Sequence, residues 1–211
     1  MCGRFSFNTE EAKIRIRFGI DLAGIPLPHN TDVRPTQRIL AVVHGPKGRA
    51  PAFFQWGLIP HWAKDKDIGV KMINARAETV AERPSFRGPF SKQRCLIVAD
   101  SFYEWKKNGA KKIPYRIRLK SHEPFAFAGL WDSWTGPDGK VIKSCTIITT
   151  EPNALLAPIH ARMPVISTAE WENAWLDPAE RDMKKLQGYL RPLDAALMEA
   201  EALEEFPPVL Q

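Results

Sequence analysis

Four apolar runs, each bounded by a short polar turn, limit what the second half of this chain can become. CLIVADSFYEWK, IPYRIRLK and FAFAGLWDSW are separated only by NGAKK and SHEP, and the turn GPDGK leads into VIKSCTIITT. Runs rich in β-branched and aromatic residues read as strands, and connections this short join antiparallel neighbours. IPYRIRLK alternates, as a strand with one wet face does. Earlier, RILAVVHG and APAFFQWGLI form a second pair across the turn GPKG. The helices are short. Thr9 followed by EEAKIRIRFGI reads as an N-cap and an amphipathic helix. KMINARAETVAERPSF starts extended and turns helical near Ala77, and EPNALLAPIHARMPVI holds a short helix, a loop and a strand. NTDVRPTQ reads as a loop in which Pro35 restricts its neighbour, and WAKDKDIG as a polar connection. From Thr168, TAEWENAWLDPAERDMKKLQGYL is helical, with Pro178 at a helix start. The expected fold is α+β: a single domain over 1–211 with a predominantly antiparallel β core and an acidic helical end over 168–211.

A length of 211 residues suits one well-packed core and is short for two. No run of 18 apolar residues is present, which excludes a membrane-spanning helix. The first residues lack the apolar centre of a secretory signal, so a cytoplasmic protein, nucleoid-associated when bound to DNA, is expected. The three cysteines, Cys2, Cys95 and Cys145, include no CxxC pair. Neither a disulfide framework nor a metal site is therefore expected. Cys95 and Cys145 open apolar runs and read as buried strand residues, which leaves Cys2 as the odd one out. The net charge of +6 is uneven: residues 1–168 carry 26 Lys and Arg against 14 Asp and Glu, and residues 169–211 carry 4 against 10. A basic body suits a polyanionic partner, and it equally suits a solvated surface.

Several polar residues stand where burial without a partner is costly. Asn74 in KMINARAET and Glu104 in SFYEWK are the clearest. Glu104 lies between Tyr103 and Trp105; enclosed there, its carboxyl would be raised toward neutrality and could both take and give protons. On the wet face of an alternating strand it would do neither. His160 in APIHARMPV sits on a short loop, where functional side chains concentrate. Arg4, Arg76 and Arg162 each stand two residues from Cys2, Asn74 and His160, an arrangement suited to an anionic substrate.

Six motifs, in order, resemble one family: MCGRF, QWGLIPHWAKD, MINARAET, CLIVADSFYEWK, FAFAGLWDSW and TIITTEPNALLAPIHARMPVI. On these the chain looks like a member of the SOS-response-associated peptidase (SRAP) family, over about residues 2–176. The resemblance implies a curved or barrel-like β core and an enzyme that senses abasic sites in single-stranded DNA. After Met1 is removed, by the protein itself or by an aminopeptidase, the Cys2 α-amine would attack the ring-opened sugar aldehyde. The thiol would then close a thiazolidine, leaving a covalent DNA–protein crosslink. An α-amine of pKa about 8 is roughly one-tenth neutral at pH 7, whereas a lysine is neutral about 0.04 % of the time. By resemblance, Asn74 and Glu104 stand against the amine and the opened sugar, with Glu104 moving protons and His160 serving the sugar oxygen and crosslink reversal. Arg4, Arg76 and Arg162 would hold phosphates, while Pro35 and Trp62 would line the DNA path. An AP-lyase side activity, no cofactor, no metal, no membrane partner and a monomer are also implied.

The chain departs from the family pattern in places. Asp32 and Arg34 replace an asparagine and a small residue beside Pro35, Ala161 replaces an aspartate beside His160, and Ser101 replaces a glycine. The end, LMEAEALEEFPPVLQ, replaces a segment like PVSxxVNxxRND. Two other readings stay open: a cysteine-type amidohydrolase or peptidase using the Cys2 thiol with His160 as base, and a non-catalytic single-strand nucleic-acid binder.

Overall fold

Trp56, Phe102 and Phe127 meet Phe5 where two sheets share one apolar core. Phe5 lies 5.2 Å from the Trp56 ring and 5.7 Å from Phe127, which in turn lies 6.0 Å from Phe102. All four are fully buried, each worth about 1.5–3 kcal/mol of transfer free energy. The computed structural model describes residues 2–206. In chain order the elements begin β1 (Phe5–Phe7), α1 (Glu11–Phe18), β2 (Asn30–Val33), β3 (Arg38–Gly45), β4 (Gly48–Trp56) and a 3-10 helix (Lys66–Lys71). There follow β5 (Asn74–Arg76), α2 (Pro84–Lys92), β6 (Arg94–Ala99), β7 (Ser101–Asn108), β8 (Lys111–Leu119), β9 (Phe125–Thr135) and β10 (Val141–Thr150). The chain ends with β11 (Met163–Pro164), α3 (Ala169–Leu176), α4 (Met183–Gly188), a single 3-10 turn at Ala195–Leu197 and β12 (Met198–Ala202).

One sheet runs β12-β8-β7-β1-β2. The other runs β10-β4-β3-β6-β9 and closes on itself because β9 also pairs β10, so a small barrel results, with β5 and β11 added along β10. The pairing is antiparallel throughout except where β10 meets β4 and β5. The α+β class with a barrel-like, mainly antiparallel core is thus as expected. The apolar run CLIVADSFYEWK divides at Asp100, its two halves entering different sheets as β6 and β7. Asp100 makes that corner by accepting hydrogen bonds from the Ser6 and Thr9 hydroxyls and the Asn8 amide. β8 and β9 are therefore not paired with each other, contrary to the simple succession of strands.

Other local expectations shift for identifiable reasons. The Thr9 hydroxyl serves Asp100, so the first helix starts at Glu11 with Glu10 at its N-cap. NTDV is a strand, not a loop, because it pairs with β1 from Phe5↔Val33 to Phe7↔Asn30. After β5 the chain turns rather than becoming helical at Ala77, whose amide bonds the Thr149 carbonyl at 2.9 Å; the helix waits for Pro84, pre-set for a first helical position. The polar connection contains the 3-10 helix, capped by Asp65. Residues 154–159 form turns. The acidic end is not a continuous helix: α3 and α4 are separate, and LMEAEA becomes the edge strand β12. Cross-strand pairs Arg116–Glu201 and Arg118–Glu199, both 2.6 Å, hold it to β8.

Two buried arginine sites tie the helices down. Arg94 donates to the Phe90 and Ser91 carbonyls at the end of α2 and to the Trp175 carbonyl in α3. It thereby satisfies acceptors that a helix end leaves open. Burial pulls its guanidinium down to about 10, still charged at neutral pH. Glu172 of α3 is wholly buried and accepts both arms of Arg17 from α1 (3.0 and 2.6 Å), Arg49 from β4 (3.0 Å) and the Ser167 hydroxyl (2.8 Å).

Candidate active site and nucleic-acid interface

Cys2 precedes β1 and is fully buried. Its carbonyl accepts the Asn74 side-chain amide at 2.8 Å, and its thiol faces the Arg4 carbonyl at 3.8 Å. β5 places Asn74 by parallel pairing with β10, Ile147 opposite Asn74 and Thr149 opposite Arg76. The Asn74 Oδ1 is buried and has no hydrogen-bond partner among the described residues. β7 brings Glu104 in beside them. The Tyr103 amide bonds the Arg4 carbonyl at 3.0 Å, fixing the register of the N-terminal segment against β7.

Glu104 is 3 % exposed, so the enclosed alternative is the one the fold realises. Burial raises its carboxyl above the usual range, with nearby His160 working the other way. Burial, and then the Glu104 charge, push the Cys2 thiol far above its ordinary value. Cys2 is therefore a protonated thiol at neutral pH. His160 Nε2 stands 3.8 Å from Glu104 Oε2. Its Nδ1 lies 3.0 Å from both the amide nitrogen and the carbonyl oxygen of Arg162. The loop thus offers a donor to the neutral ring and an acceptor to the protonated one. The fold brings Cys2, Asn74, Glu104 and His160 together from four distant parts of the chain.

Because the raised Glu104 carboxyl favours its neutral form in the fold, the contribution of this one group to stability is greatest below the unfolded-state value of about 4.3 and is lost as pH rises through the folded-state value. Glu104→Gln, which fixes the neutral form, should raise Tm at pH 7 by about 2–5 °C. The gain should vanish below about pH 4. Thermal unfolding at the two pH values checks this; an equal gain at both would remove Glu104 ionisation as its source.

The three arginines differ in what they already hold. Arg76 is exposed on β5. Arg162 is bidentate to Glu78 (2.6 and 3.0 Å) and also donates to the Thr149 carbonyl at 2.6 Å. Hydrogen bonds from Arg162 hold the Glu78 carboxyl below its usual range, with Arg76 adding a smaller effect. Arg4 gives only Nη1 to Asp32, at 2.6 and 2.9 Å. Asp32 is also bound by Arg34, so its carboxylate is covered by two guanidinium groups.

Pro35 and Trp62 lie on two loops joined at the end of β4. The turn after Pro35 docks there, the Thr36 amide bonding the Trp56 carbonyl at 2.7 Å. Thr36 takes a left-handed φ of 74°, rare for a β-branched residue. Trp62 is 51 % exposed. Its loop is held by the His61 amide on Asp132 (2.9 Å) and the Trp134 indole on the Ala63 carbonyl (2.7 Å). It leaves the barrel at Gly57, where φ is +124° and a Cβ would stand 2.7 Å from the Gly69 carbonyl.

Sequence reading missed Glu78 and Thr149, which hold Arg162, and Phe206, whose ring lies beneath Arg4. Glu78 stands in the same MINARAET run as Asn74 and Arg76, and an acid two residues beyond an exposed strand arginine was the available signal. Its partner is 84 residues away, which no local pattern reports.

The model of the SOS response associated peptidase (SRAP) family matches residues 1–205. The chain belongs to that family. The match passes residue 176, where the recognisable motifs stop, and takes in β12. Among SRAP relatives, the abasic site processing protein YoqW of Bacillus subtilis (strain 168) is 51 % identical over 203 residues, covering 95 % of this chain and 91 % of that protein. The abasic site processing protein HMCES of Gallus gallus is 33 % identical over 164 residues, 66 % of this chain and 49 % of that longer relative. A crystal structure of a protein from Bacteroides thetaiotaomicron superposes with a TM-score of 0.88 at 31 % identity, covering 96 % of this chain and 92 % of that one.

Proposed function

We propose that this SRAP protein processes abasic sites in DNA by forming a covalent crosslink through Cys2, acting as a monomer on single strands. The observation that carries the reading is the convergence of Asn74, Glu104 and His160 on a cysteine at the second position of the chain. With Met1 removed, by this same site or by an aminopeptidase, the Cys2 α-amine attacks C1′ of the ring-opened sugar. Glu104, neutral more readily than an ordinary carboxyl, protonates the departing hydroxyl, and water leaves as the imine forms. The thiol then adds to the same carbon, its proton passing to the nitrogen, and the five-membered ring closes. Closure is intramolecular, an advantage worth up to about 10⁵–10⁸ M in effective concentration. His160 serves the sugar oxygen during ring opening. The unpartnered Asn74 Oδ1 suits an N–H or O–H of the reacting groups, since a buried acceptor gains most from a new donor.

The amidohydrolase alternative needs a thiolate on a carbonyl, and burial moves the Cys2 thiol in the opposite direction. Mixing the protein with a single-stranded oligonucleotide carrying one abasic site, beside an intact strand, tests the proposal. A shifted band on a denaturing gel for the abasic strand alone is expected. Salt-sensitive binding indifferent to the lesion, with no such band, would leave the non-catalytic binder.

Arg76 is the exposed cation nearest this site in sequence, and we assign it a phosphate. Arg76→Ala should weaken binding and lower the slope of log K against log salt by about 0.7, the value for one phosphate on a single strand. Fluorescence anisotropy across a salt series measures it, and an unchanged slope would withdraw the assignment.

A further inference from the structure

Beyond β12 the chain turns back across the sheet. The Leu203 amide continues the ladder to the Pro114 carbonyl at 2.8 Å, and Pro114 is paired with Trp105 of β7. Phe206 then packs edge-on against Tyr103 (4.7 Å between ring centres) and Trp105 (5.1 Å). Side chains alternate along a strand, so Tyr103 and Trp105 share the face of β7 opposite Glu104, and Phe206 does not approach the reacting groups from that side. The Phe206 ring does lie under the Arg4 guanidinium, 5.7 Å from its central carbon.

Arg4 is consequently held on two sides. Asp32 takes Nη1, and the central carbon of the guanidinium stands over the Phe206 ring. The Nε and Nη2 groups have no partner among the described residues, and the side chain is 30 % exposed. A guanidinium with a carboxylate at one corner, a ring beneath it and an open edge is already set in the geometry that a phosphate takes in bidentate fashion. Less rotamer freedom then remains to be lost on binding.

We propose that Phe206 is a positioning residue for DNA: it fixes the Arg4 guanidinium so that its open edge meets a backbone phosphate, and the C-terminal segment thereby completes the interface. This rests on the DNA-processing reading above. The ring acts through its π-face, so an aromatic replacement should serve and an aliphatic one of similar size should not.

The test is a double-mutant cycle read by anisotropy on an intact single strand, with adduct formation on an abasic strand read beside it on a denaturing gel. Phe206→Leu should weaken binding about three- to fivefold, and Phe206→Tyr should restore it. In an Arg4→Ala background, Phe206→Leu should change affinity by less than about 1.5-fold. Wild-type affinity in Phe206→Leu would overturn the proposal. So would a loss in Phe206→Tyr equal to that in Phe206→Leu, which would mark a purely structural role, or a full effect persisting without Arg4. Thermal unfolding of each variant separates misfolding from lost contact. If the wild type binds DNA but forms no abasic adduct, the crosslinking reading fails while the cycle on the intact strand still decides this one. A wild type with no affinity for either strand overturns both.

Discussion

Cys2→Ala is expected to eliminate the adduct that survives a denaturing gel, while affinity for an intact single strand stays within about twofold of wild type. The alanine variant keeps an α-amine once Met1 is removed, so an imine to the sugar can still form. It has no sulfur to close the ring, and an imine hydrolyses. Borohydride should therefore trap a band in the variant that is absent without reductant, and strand cleavage of the AP-lyase type should become the visible outcome. Cys95 and Cys145 cannot substitute, since both lie within strands, β6 and β10, and neither has a free α-amine beside its thiol. A stable, borohydride-independent adduct in Cys2→Ala would refute the thiazolidine, and a loss of affinity as large as the loss of adduct would show that Cys2 chiefly holds the binding surface together.

Glu172→Ala should be the most damaging single change to the fold, costing about 3–5 kcal/mol. At roughly 2–4 °C per kcal/mol for a chain of this size, Tm would fall by about 6–20 °C. Little of that cost comes from attraction between the ions, which desolvation largely offsets. It comes from what is left behind: two half-buried arginines, Arg17 and Arg49, without a counter-charge, and α1, β4 and α3 without their common anchor. Burial opposes ionisation of Glu172, but the bonds from Arg17, Ser167 and Arg49 outweigh it and its carboxyl is held below the usual range. A depressed carboxyl stabilises above the unfolded-state value of about 4.3, and that contribution is lost as pH falls through the folded-state value. The wild type should thus lose more stability between pH 5 and pH 3 than the variant does. Thermal unfolding across that range measures both effects; a cost under about 1 kcal/mol at pH 7 would mean that water reaches the arginines and replaces the carboxylate.

The barrel was largely legible because its signal is local. Apolar runs rich in β-branched and aromatic residues, with the turns GPKG and GPDGK between them, specify the β3–β4 and β9–β10 hairpins without reference to distant residues. The end of the chain was not legible for the opposite reason. LMEAEA is built from good helix formers, yet it lies along β8 because Glu199 and Glu201 meet Arg118 and Arg116, and tertiary pairing overrides propensity at a sheet edge. The same division holds at the site. Cys2, Asn74 and Glu104 stood out as polar groups in apolar or terminal settings, and burial confirms the oddity of each. Asp32 was noticed only as a departure from a pattern; its work as the shared partner of Arg4 and Arg34 depends on β1 and β2 lying side by side. Glu78 and Phe206 act on arginines far away in sequence, so only the folded chain reveals them.

An N-terminal cysteine condenses with any small aldehyde it meets, and cells contain many. In the folded chain that still carries Met1, Cys2 shows none of its surface to solvent; an end kept in that place after processing would meet metabolic aldehydes less readily than a strand that the interface has already aligned. A nascent chain has no such shelter. Glu104 is made about a hundred residues after Cys2, and His160 later still; at roughly 5–20 residues per second the amine of a processed chain waits on the order of ten seconds for its enclosure. On the crosslinking reading proposed above, the long sequence separation of the site's members would act as a clock on its chemical safety. Slow synthesis under aldehyde stress would consume the reactive end before it is ever presented to DNA. Intact-mass analysis of protein made with and without added formaldehyde, against folded protein treated afterwards, would measure that window; equal modification in both would show that burial gives no protection.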